Sequence, residues 1–529
     1  MLKPISMEEN RCPKMASALL RPDLPSNNMQ DILGLSTRAL DRARISRDPR
    51  FDGKFFVAVT STGIYCRPIC RVREAKRTNV RYYASAAAAA AAGYRPCLRC
   101  HPEAAPGSPA WMGTSTVVRR ALRLIDEGAL DDGTVEDLAS KLGMGARHLD
   151  RLFNQHIGAS PVAVAQTRRL HFAKRLLNDT DLAITEIALA SGFGSLRRFN
   201  TVFRDTYARS PRELRKARRS TARLAEQEIV LKLAYRAPYH WRQVQEFFAA
   251  RAVPGMERVQ ENEYARTVRW SGGAGVIHIR HLAGEHALEL RVPYGAAPAL
   301  LQISSTTRRV FDLEADPARV SAAFKPDALL RALTLRHPGI RIPGAWDGFE
   351  CGVRAIVGQQ ISVAGARTLM TRLISRCGES LVNAVDDLSH LFPTPAALAS
   401  ADLSDVGLTG AKRSTLRAFS QAVHECAVDF TASTDDVFAS LTSLPGIGTW
   451  TAQYIALRAL AEPDALLDGD LVLRQMASDG TRPLSARELG QRAENWRPWR
   501  GYAAMHLWYA ASERRRERKQ DRSRSAAAS

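Results

Sequence analysis

Residues Leu441–Arg474 read LTSLPGIGTWTAQYIALRALAEPDALLDGDLVLR, and the fold of the C-terminal half follows from them. Apolar residues before the turn (Leu441, Leu444) and after it (Ala452, Ile455, Leu457, Leu460) predict two short helices joined by Pro445-Gly446-Ile447-Gly448. Gly446 and Gly448 permit a tight turn that lets the backbone come close to a ligand, and the next helix starts at once. Its first N–H groups and positive dipole end then point outward, which makes a phosphate site indifferent to base sequence. Some twenty residues on, Asp468-Gly469-Asp470 brings carboxylates to the start of another apolar segment.

The 529-residue chain carries 75 Lys+Arg against 54 Asp+Glu, a formal net charge of +21. Such an excess predicts a polyanionic partner, nucleic acid first. Hydrophobic residues make up 45%, as in ordinary globular domains, so disordered and fibrous classes are excluded. The length leaves room for about three or four domains. No window holds the uncharged apolar run of a bilayer span, and the N-terminus lacks a signal-type apolar core. The expectation is a cytoplasmic, nucleoid-associated protein with reduced thiols and no membrane partner. Its eight cysteines are then metal ligands, reactive thiols or small core residues. Cys351, Cys377 and Cys426, in apolar helical contexts, are expected in the core. Cys12 falls in a lead-in, residues 1–33, read as disordered.

Residues 34–104 include FFVAVTSTGIYCRPICRVR and GYRPCLRCHP. Phe55–Thr60 alternates like a strand, and Thr62-Gly63 is a turn signal. Cys66-x3-Cys70 and Cys97-x2-Cys100 are two short-spaced pairs with 26 residues between them. Short pairs bring two sulfurs to one metal, and two pairs complete a tetrahedral zinc site. On spacing alone two alternatives stay open. Cys97-Leu98-Arg99-Cys100-His101 fits a c-type haem attachment, and His101 could replace a cysteine as ligand. The run Ala86–Ala92 reads as a small surface helix.

The string Gly63-Ile-Tyr-Cys66-Arg67-Pro68-x-Cys70-Arg71, followed by Gly93-Tyr-Arg95-Pro96-Cys97-x-Arg99-Cys100, resembles the methyl-phosphotriester repair domain of the Ada family. The resemblance implies bound zinc and a sacrificial methyl acceptor at the first cysteine, Cys66. A metal-held thiolate is a strong nucleophile toward a methyl carbon. Four thiolates around Zn²⁺ sum to about −2, so methylating one lowers the repulsion toward phosphate and repair can double as an electrostatic switch. Arg67, Arg71, Arg73, Lys76 and Arg77 supply phosphate contacts on this reading.

From residue 114 the pattern turns helical. Thr134-Val-Glu-Asp137 opens like a capping box before LASKLGMGARHLDRLFNQHIGASP, and a second copy follows about fifty residues later. Leu138-Ala139 matches Ile187-Ala188, Gly143 matches Gly192, Phe153 matches Phe203, and Ser160-Pro161 matches Ser210-Pro211. Each glycine sits where a short helix must turn into a recognition helix. This duplicated unit resembles the AraC-type double helix-turn-helix. Met144–Arg147 would begin one recognition helix and Ser195-Leu196-Arg197-Arg198 the other, with Arg197 and Arg198 on DNA. Lys216–Arg223 reads as a charged linker.

Segment 229–312 holds VIHIRHL and HALELRV, alternating strands separated by Gly-rich turns. Beyond Pro317 the pattern is almost all helical. With APYHWRQVQEFFAARAVPGMERV, GFECGVRAIVGQQISVAGA and NWRPWRGYAAMHLWYA, residues 230–510 resemble the AlkA-type 3-methyladenine DNA glycosylases of the helix-hairpin-helix class. That resemblance implies a catalytic aspartate at Asp470, with Asp468 two positions away. It implies a base pocket of Trp450, Tyr454, Trp508 and Phe247, and DNA contacts from Gly446, Gly448, Thr451 and the wedge position Gln360. Strand-cutting relatives carry a lysine where Trp450 stands, so the enzyme is expected to be monofunctional. No cysteine follows Cys426, which argues against an iron–sulfur cluster.

The expected architecture is therefore multidomain. It runs from a small zinc α/β domain (34–104) through an all-α double helix-turn-helix (114–218) and an α+β sheet domain (229–312) to an all-α helix-hairpin-helix glycosylase domain (317–511). A basic tail (512–529), read as disordered, follows. The resemblances imply double-stranded DNA as partner, at alkylated sites and at a promoter, together with RNA polymerase, for a monomeric chain. The alternative is a regulator whose glycosylase-like half only binds DNA. No Pro-Cys-His-Arg string occurs, so O6-alkylguanine transfer is not expected.

Overall fold

The computed structural model describes residues 35–106, 116–131, 133–215, 228–478, 480 and 482–528. The lead-in with Cys12 and the linker at Lys216–Arg223 lie outside the described residues.

The first domain is a four-stranded sheet of β1 (Phe56–Val59), β2 (Ile64–Cys66), β3 (Val80–Tyr83) and β4 (Arg95–Pro96), ordered β3-β1-β2-β4. The turn between β1 and β2 uses Gly63 at φ +65, where a side chain would be strained. The alanine run forms the helix Ala86–Ala91, capped by Ser85. It is not a surface helix. Ala87, Ala88 and Ala89 are buried, because small side chains let this helix close on the Pro161–Asp179 helix. Ser85 Oγ also donates to Ile157 O at 2.9 Å.

Two helix-turn-helix units follow, Val135–Lys141 with Ala146–Ile157 and Ile184–Ala190 with Leu196–Tyr207, joined by the helix Pro161–Asp179. Thr134 and Asp137 form the expected capping box. Gly143 (φ +71) and Gly192 (φ +78) make the two turns, and both Ser-Pro pairs supply an N-cap followed by proline in the first helical turn.

The next region is a five-stranded antiparallel sheet of β5 (Glu228–Ala234), β6 (Glu257–Gln260), β7 (Glu263–Trp270), β8 (Gly273–Leu282) and β9 (Ala287–Pro293), ordered β5-β9-β8-β7-β6. Alternate residues Leu288, Leu290 and Val292 enter a core shared with Trp241, Phe248 and Leu300 from covering helices. Within the otherwise helical 317–511 stretch stands a hairpin of β10 (Glu379–Val385) and β11 (Leu388–Leu391). It packs Leu381, Leu388 and Leu391 on Ala265 and Val276 of the sheet. Its apolar pattern is too sparse to announce a strand, since Val382 and Val385 face solvent.

The helices Gly348–Gly358, Val363–Cys377, Gly410–His424, Thr434–Thr442 and Thr449–Arg458 share one core. Sheet and helices are joined by a buried ion network. Glu350 accepts from Arg266 at 2.7 Å and Arg354 at 2.9 Å, and Arg354 also reaches Glu257 at 2.7 Å. Burial pushes the Glu350 carboxyl up, but the two guanidiniums outweigh it and hold it at about 2. Glu350→Gln is expected to cost about 3 kcal/mol in denaturant unfolding, because buried Arg266 loses its carboxylate and Arg354 keeps only Glu257. Since the folded carboxyl lies below its ordinary value of 4.5, its contribution is complete above that pH and is lost as pH falls toward about 2.

Cys351 is in the core, Cys377 is half-buried, and Cys426, expected inside, is exposed at a helix end with φ +59. The basic tail is taken up by the final helix, Arg500–Ala528. Its Arg and Glu residues favour helix, and Arg516 pairs with Glu246 while Glu517 lies 3.5 Å from Arg336.

Candidate metal centre and base pocket

Cys66 ends β2, Cys70 follows a turn closed by its own N–H on Arg67 O (3.1 Å), and Cys97 and Cys100 follow β4. The four Sγ atoms lie within 4.8 Å of one another, and none is in a disulfide. The Arg67 and Arg99 N–H groups point at the sulfurs of Cys100 and Cys97, each at 3.4 Å. Contacts with Cys100 and Cys66 pull Cys70 down to about 7, while contacts with Cys100 and Cys70 push Cys66 up. Four thiolates this close repel one another unless a soft dication sits among them, so the donor set fits zinc. His101 is not among the clustered donors, which are the four sulfurs; its Nδ1 meets Glu103 Oε1 at 3.0 Å. The haem alternative fails as well, because Cys97 and Cys100 share one cluster with Cys66 and Cys70.

Cys66 and Cys97 are each 6% exposed, whereas Cys70 and Cys100 are more open. Arg67 corrects one expectation. It turns inward, with Nε on Asp52 Oδ1 at 2.8 Å and Nη1 on Cys100 O at 3.2 Å, so it braces the cluster rather than offering its charge to phosphate. Arg71, Arg73 and Lys76 are exposed, and Arg77 lies 2.9 Å from Asp41. On the recognition helices Arg147, Arg197 and Arg198 are exposed, with Ser195 capping the second.

At the hairpin, Gly446 has φ +85, and a Cβ there would come within 2.1 Å of Thr415 Oγ1. Ile447 is buried and pins the tip, while Gly448 caps the Thr449–Arg458 helix with open space before it. Thr451 is a second correction. It is 3% exposed, and its hydroxyl accepts from Gln359 Nε2 at 3.1 Å, so it ties two loops together beneath the surface. Gln359 also donates to Gly446 O at 2.9 Å. Gln360, expected as the wedge, is exposed at φ +57, beside exposed Ile361.

Asp470 caps the helix Leu471–Met476. Its Oδ1 accepts from Leu473 N–H at 2.9 Å and Trp508 Nε1–H at 3.3 Å. Trp450 and Tyr454, one turn apart, stack with centroids 5.3 Å apart and planes 13° apart. Phe247, Trp450, Tyr454 and Trp508 are all half-buried against one core. A Cβ on Gly469 would lie 3.9 Å from the Trp450 ring, so the Asp468–Asp470 loop borders these aromatics.

Two cations escaped the sequence reading. Arg251 lies 3.9 Å and Arg458 4.4 Å from the Phe247 ring centroid. Arg458 is 7% exposed, donates to Tyr454 Oη at 2.7 Å, and is held by Pro343 O and Gly344 O at 2.8 and 3.0 Å. It thereby sets the Tyr454 ring. The available signal was an arginine inside the apolar run IALRAL, four residues after Tyr454 and on its helix face.

Three family models match the chain: the metal binding domain of Ada over 39–103, a helix-turn-helix domain over 138–217, and the AlkA N-terminal domain over 230–347. DNA-3-methyladenine glycosylase 2 of Escherichia coli is 36% identical over 52% of this chain and 96% of its own length. The bifunctional transcriptional activator/DNA repair enzyme Ada of the same organism is 41% identical over 28% of this chain and 40% of its own. A protein of Mycobacterium tuberculosis described as "Probable bifunctional transcriptional activator/DNA repair enzyme AlkA" is 39% identical over 88% of this chain and 95% of its own length. With the zinc cluster, the paired helix-turn-helices and the glycosylase half in one chain, this protein belongs to that family of fused Ada- and AlkA-type proteins.

Proposed function

We propose that the chain repairs alkylated DNA by two chemistries and regulates the response to alkylation. One half is a monofunctional 3-methyladenine-type glycosylase, and the other is a zinc-dependent methyl acceptor joined to a sequence-reading module. The observation that carries the first assignment is the Asp470 carboxylate, fixed at Oδ1 by two donors and bordered by the stacked Trp450–Tyr454 pair.

A base must leave the duplex before its glycosidic bond can be reached. An alkylated purine is cationic, so the Trp450, Tyr454 and Trp508 rings attract it by stacking and by cation–π interaction. The bond from the base nitrogen to the anomeric carbon breaks with its electron pair on the base. The carboxylate of Asp470 opposes the positive charge left on the sugar, and water then adds. Gly446 and Gly448 hold the backbone through main-chain N–H groups. Trp450 fills the position where strand-cutting relatives hold a lysine, which supports base release without strand cutting. The polar Gln360 fills the vacated stack poorly. Gln360→Leu adds apolar contact worth about 1 kcal/mol and is expected to raise single-turnover excision roughly fivefold.

In the first domain, zinc when bound keeps the sulfurs as thiolates at neutral pH. The Cys66 sulfur forms a bond to the methyl carbon of a phosphotriester, the C–O bond breaks, and its electron pair stays on the phosphate oxygen. Cys66 ends as a thioether and is not regenerated. Its burial favours a small methyl projecting from the phosphate over bulkier groups. Arg71, Arg73 and Lys76, exposed and a few residues on in the chain, are the candidate phosphate contacts, and Arg147, Arg197 and Arg198 are the candidate promoter contacts. The net charge of +21 supports double-stranded DNA as the partner. RNA polymerase as a second partner, a monomeric state and residence on the nucleoid complete the reading.

Incubation of the protein with methylated DNA tests both halves at once. Chromatography should find released 3-methyladenine, and mass analysis should find one added methyl group per chain, on Cys66. Methylation without base release would favour a regulator with a DNA-binding scaffold.

A further inference from the structure

A second space lies behind the base pocket. The helices Thr116–Asp126, Pro161–Asp179 and Leu300–Val310 and the stretch 457–463 enclose a cavity of about 380 Å³. That volume suits a small ligand and is too small for a duplex. Arg120, Arg123, Arg168, Arg175, Arg308 and Arg309 all line it. Arg120 is 8% exposed, and among the described residues its guanidinium bonds only Thr434 Oγ1, at 3.4 Å. Among the described residues its Nε and Nη2, with Arg123 Nε and Arg168 Nη1, are buried donors without a hydrogen-bond acceptor.

Each carboxylate that lines the cavity already has a partner, Glu103 in His101 at 3.0 Å, Glu127 in Arg309 at 3.5 Å and Glu314 in Arg308. Asp126 lies 3.1 Å from Arg168, Glu462 3.3 Å from Arg119, and Asp312 accepts from Tyr502 at 2.6 Å. Burial, then the neighbouring Arg123, brings Arg120 down to about 10, and burial with Arg308 does the same to Arg175. The carboxylates that act on Arg120 from a distance, Glu127, Asp429 and Asp436, do not bond its free N–H groups among the described residues, and unpaired buried donors are costly, so the wall carries an unmet demand for an acceptor of negative charge. The lining also includes the aromatic side chains of Phe56, Phe172 and Trp499. Glu314 pairs with Arg308 through Oε1, and its Oε2 has no donor among the described residues, so it suits a hydroxyl.

We propose that this interdomain cavity is a binding site for a small phosphate-bearing anion of nucleotide size. Arg120 and Arg123 take the phosphate, and the aromatic wall takes a ring. The walls are shared with both repair sites. Arg458 lines the cavity and holds Tyr454. His171 lines it and lies 2.9 Å from the hydroxyl of Tyr65, next to Cys66 in the chain. An occupant would therefore touch supports of both centres at once.

The full-length, zinc-loaded protein is titrated with inorganic phosphate, pyrophosphate and AMP by calorimetry and thermal unfolding, against sodium chloride of equal ionic strength. The expected result is saturable binding at one site per chain with a rise in Tm. Equal affinity for phosphate and AMP assigns the site to the phosphate alone, and tighter AMP binding adds the ring. Arg120→Gln should weaken binding at least tenfold. It should also unfold no lower than the parent in chloride alone, because it removes an unmatched buried charge. Arg242→Gln, on the exposed face of the Trp241–Ala249 helix, should change neither. No saturable binding of any of the three, or binding that Arg120→Gln and Arg123→Gln both leave unchanged, overturns the proposal.

Discussion

Asp470→Asn is expected to lower single-turnover release of 3-methyladenine by about a hundredfold or more, with binding to undamaged DNA little changed. The loss is large because a carboxylate aimed at developing positive charge supplies roughly 2–4 kcal/mol, and each 1.4 kcal/mol is about tenfold in rate. Binding survives because asparagine keeps the size and an oxygen acceptor. The Leu473 N–H and Trp508 Nε1–H that now meet Oδ1 at 2.9 and 3.3 Å retain a partner, so the helix beyond still starts in place. The Gly446–Gly448 turn takes its shape from buried Ile447 and from Gln359, not from the carboxylate. Asp468 is the control, since it stands two residues away without those donors. Near-normal release by Asp470→Asn with an inactive Asp468→Asn would move the catalytic role to Asp468. Normal release by both would defeat the carboxylate mechanism.

What could be read along the chain was whatever local geometry encodes. The duplicated Gly143/Gly192 turns and Ser-Pro caps carried the two helix-turn-helices, and Leu-Pro-Gly-Ile-Gly carried the hairpin. Cysteine spacing pointed to one metal. The misplaced residues are those whose partners lie far off in sequence. Arg67 reads as a surface cation until Asp52 folds against it, and Thr451 reads as a DNA contact until Gln359, ninety-two residues earlier, takes its hydroxyl. The alanine helix is buried by a neighbour helix seventy residues downstream. Likewise Arg458 gains meaning only when Phe247 and the Pro343–Gly344 carbonyls close round it. Each depends on a tertiary contact, which no local propensity contains.

Cys97→Ala is expected to release zinc and unfold the 34–104 domain while the glycosylase half keeps its fold and its base-release activity. The domain's strands are two to four residues long, and its apolar clusters are small: Leu40, Ala43, Phe55, Val57, Val80 and Tyr82 on one face, Phe56, Ala58, Tyr65, Ala89 and Tyr94 on the other. A core of that size supplies little net stability, whereas a structural zinc supplies folding free energy on the order of 10 kcal/mol. Removing one of four ligands therefore leaves β2 and β4 joined only by their short parallel pairing, since Cys66 ends the one and Cys97 follows the other. The glycosylase half has its own cores, built from residues beyond 229 apart from the helix-turn-helix residues that join the first of them. Metal analysis, limited proteolysis and 3-methyladenine release on the same preparation decide the matter. Protease cuts should appear between 34 and 104 in the variant and in chelator-treated parent, with excision retained in both. Zinc retained in full by Cys97→Ala would sink the ligand assignment. Loss of excision along with the metal would show instead that the zinc domain is a structural part of the glycosylase, acting across contacts such as Lys54–Asp316 at 2.5 Å.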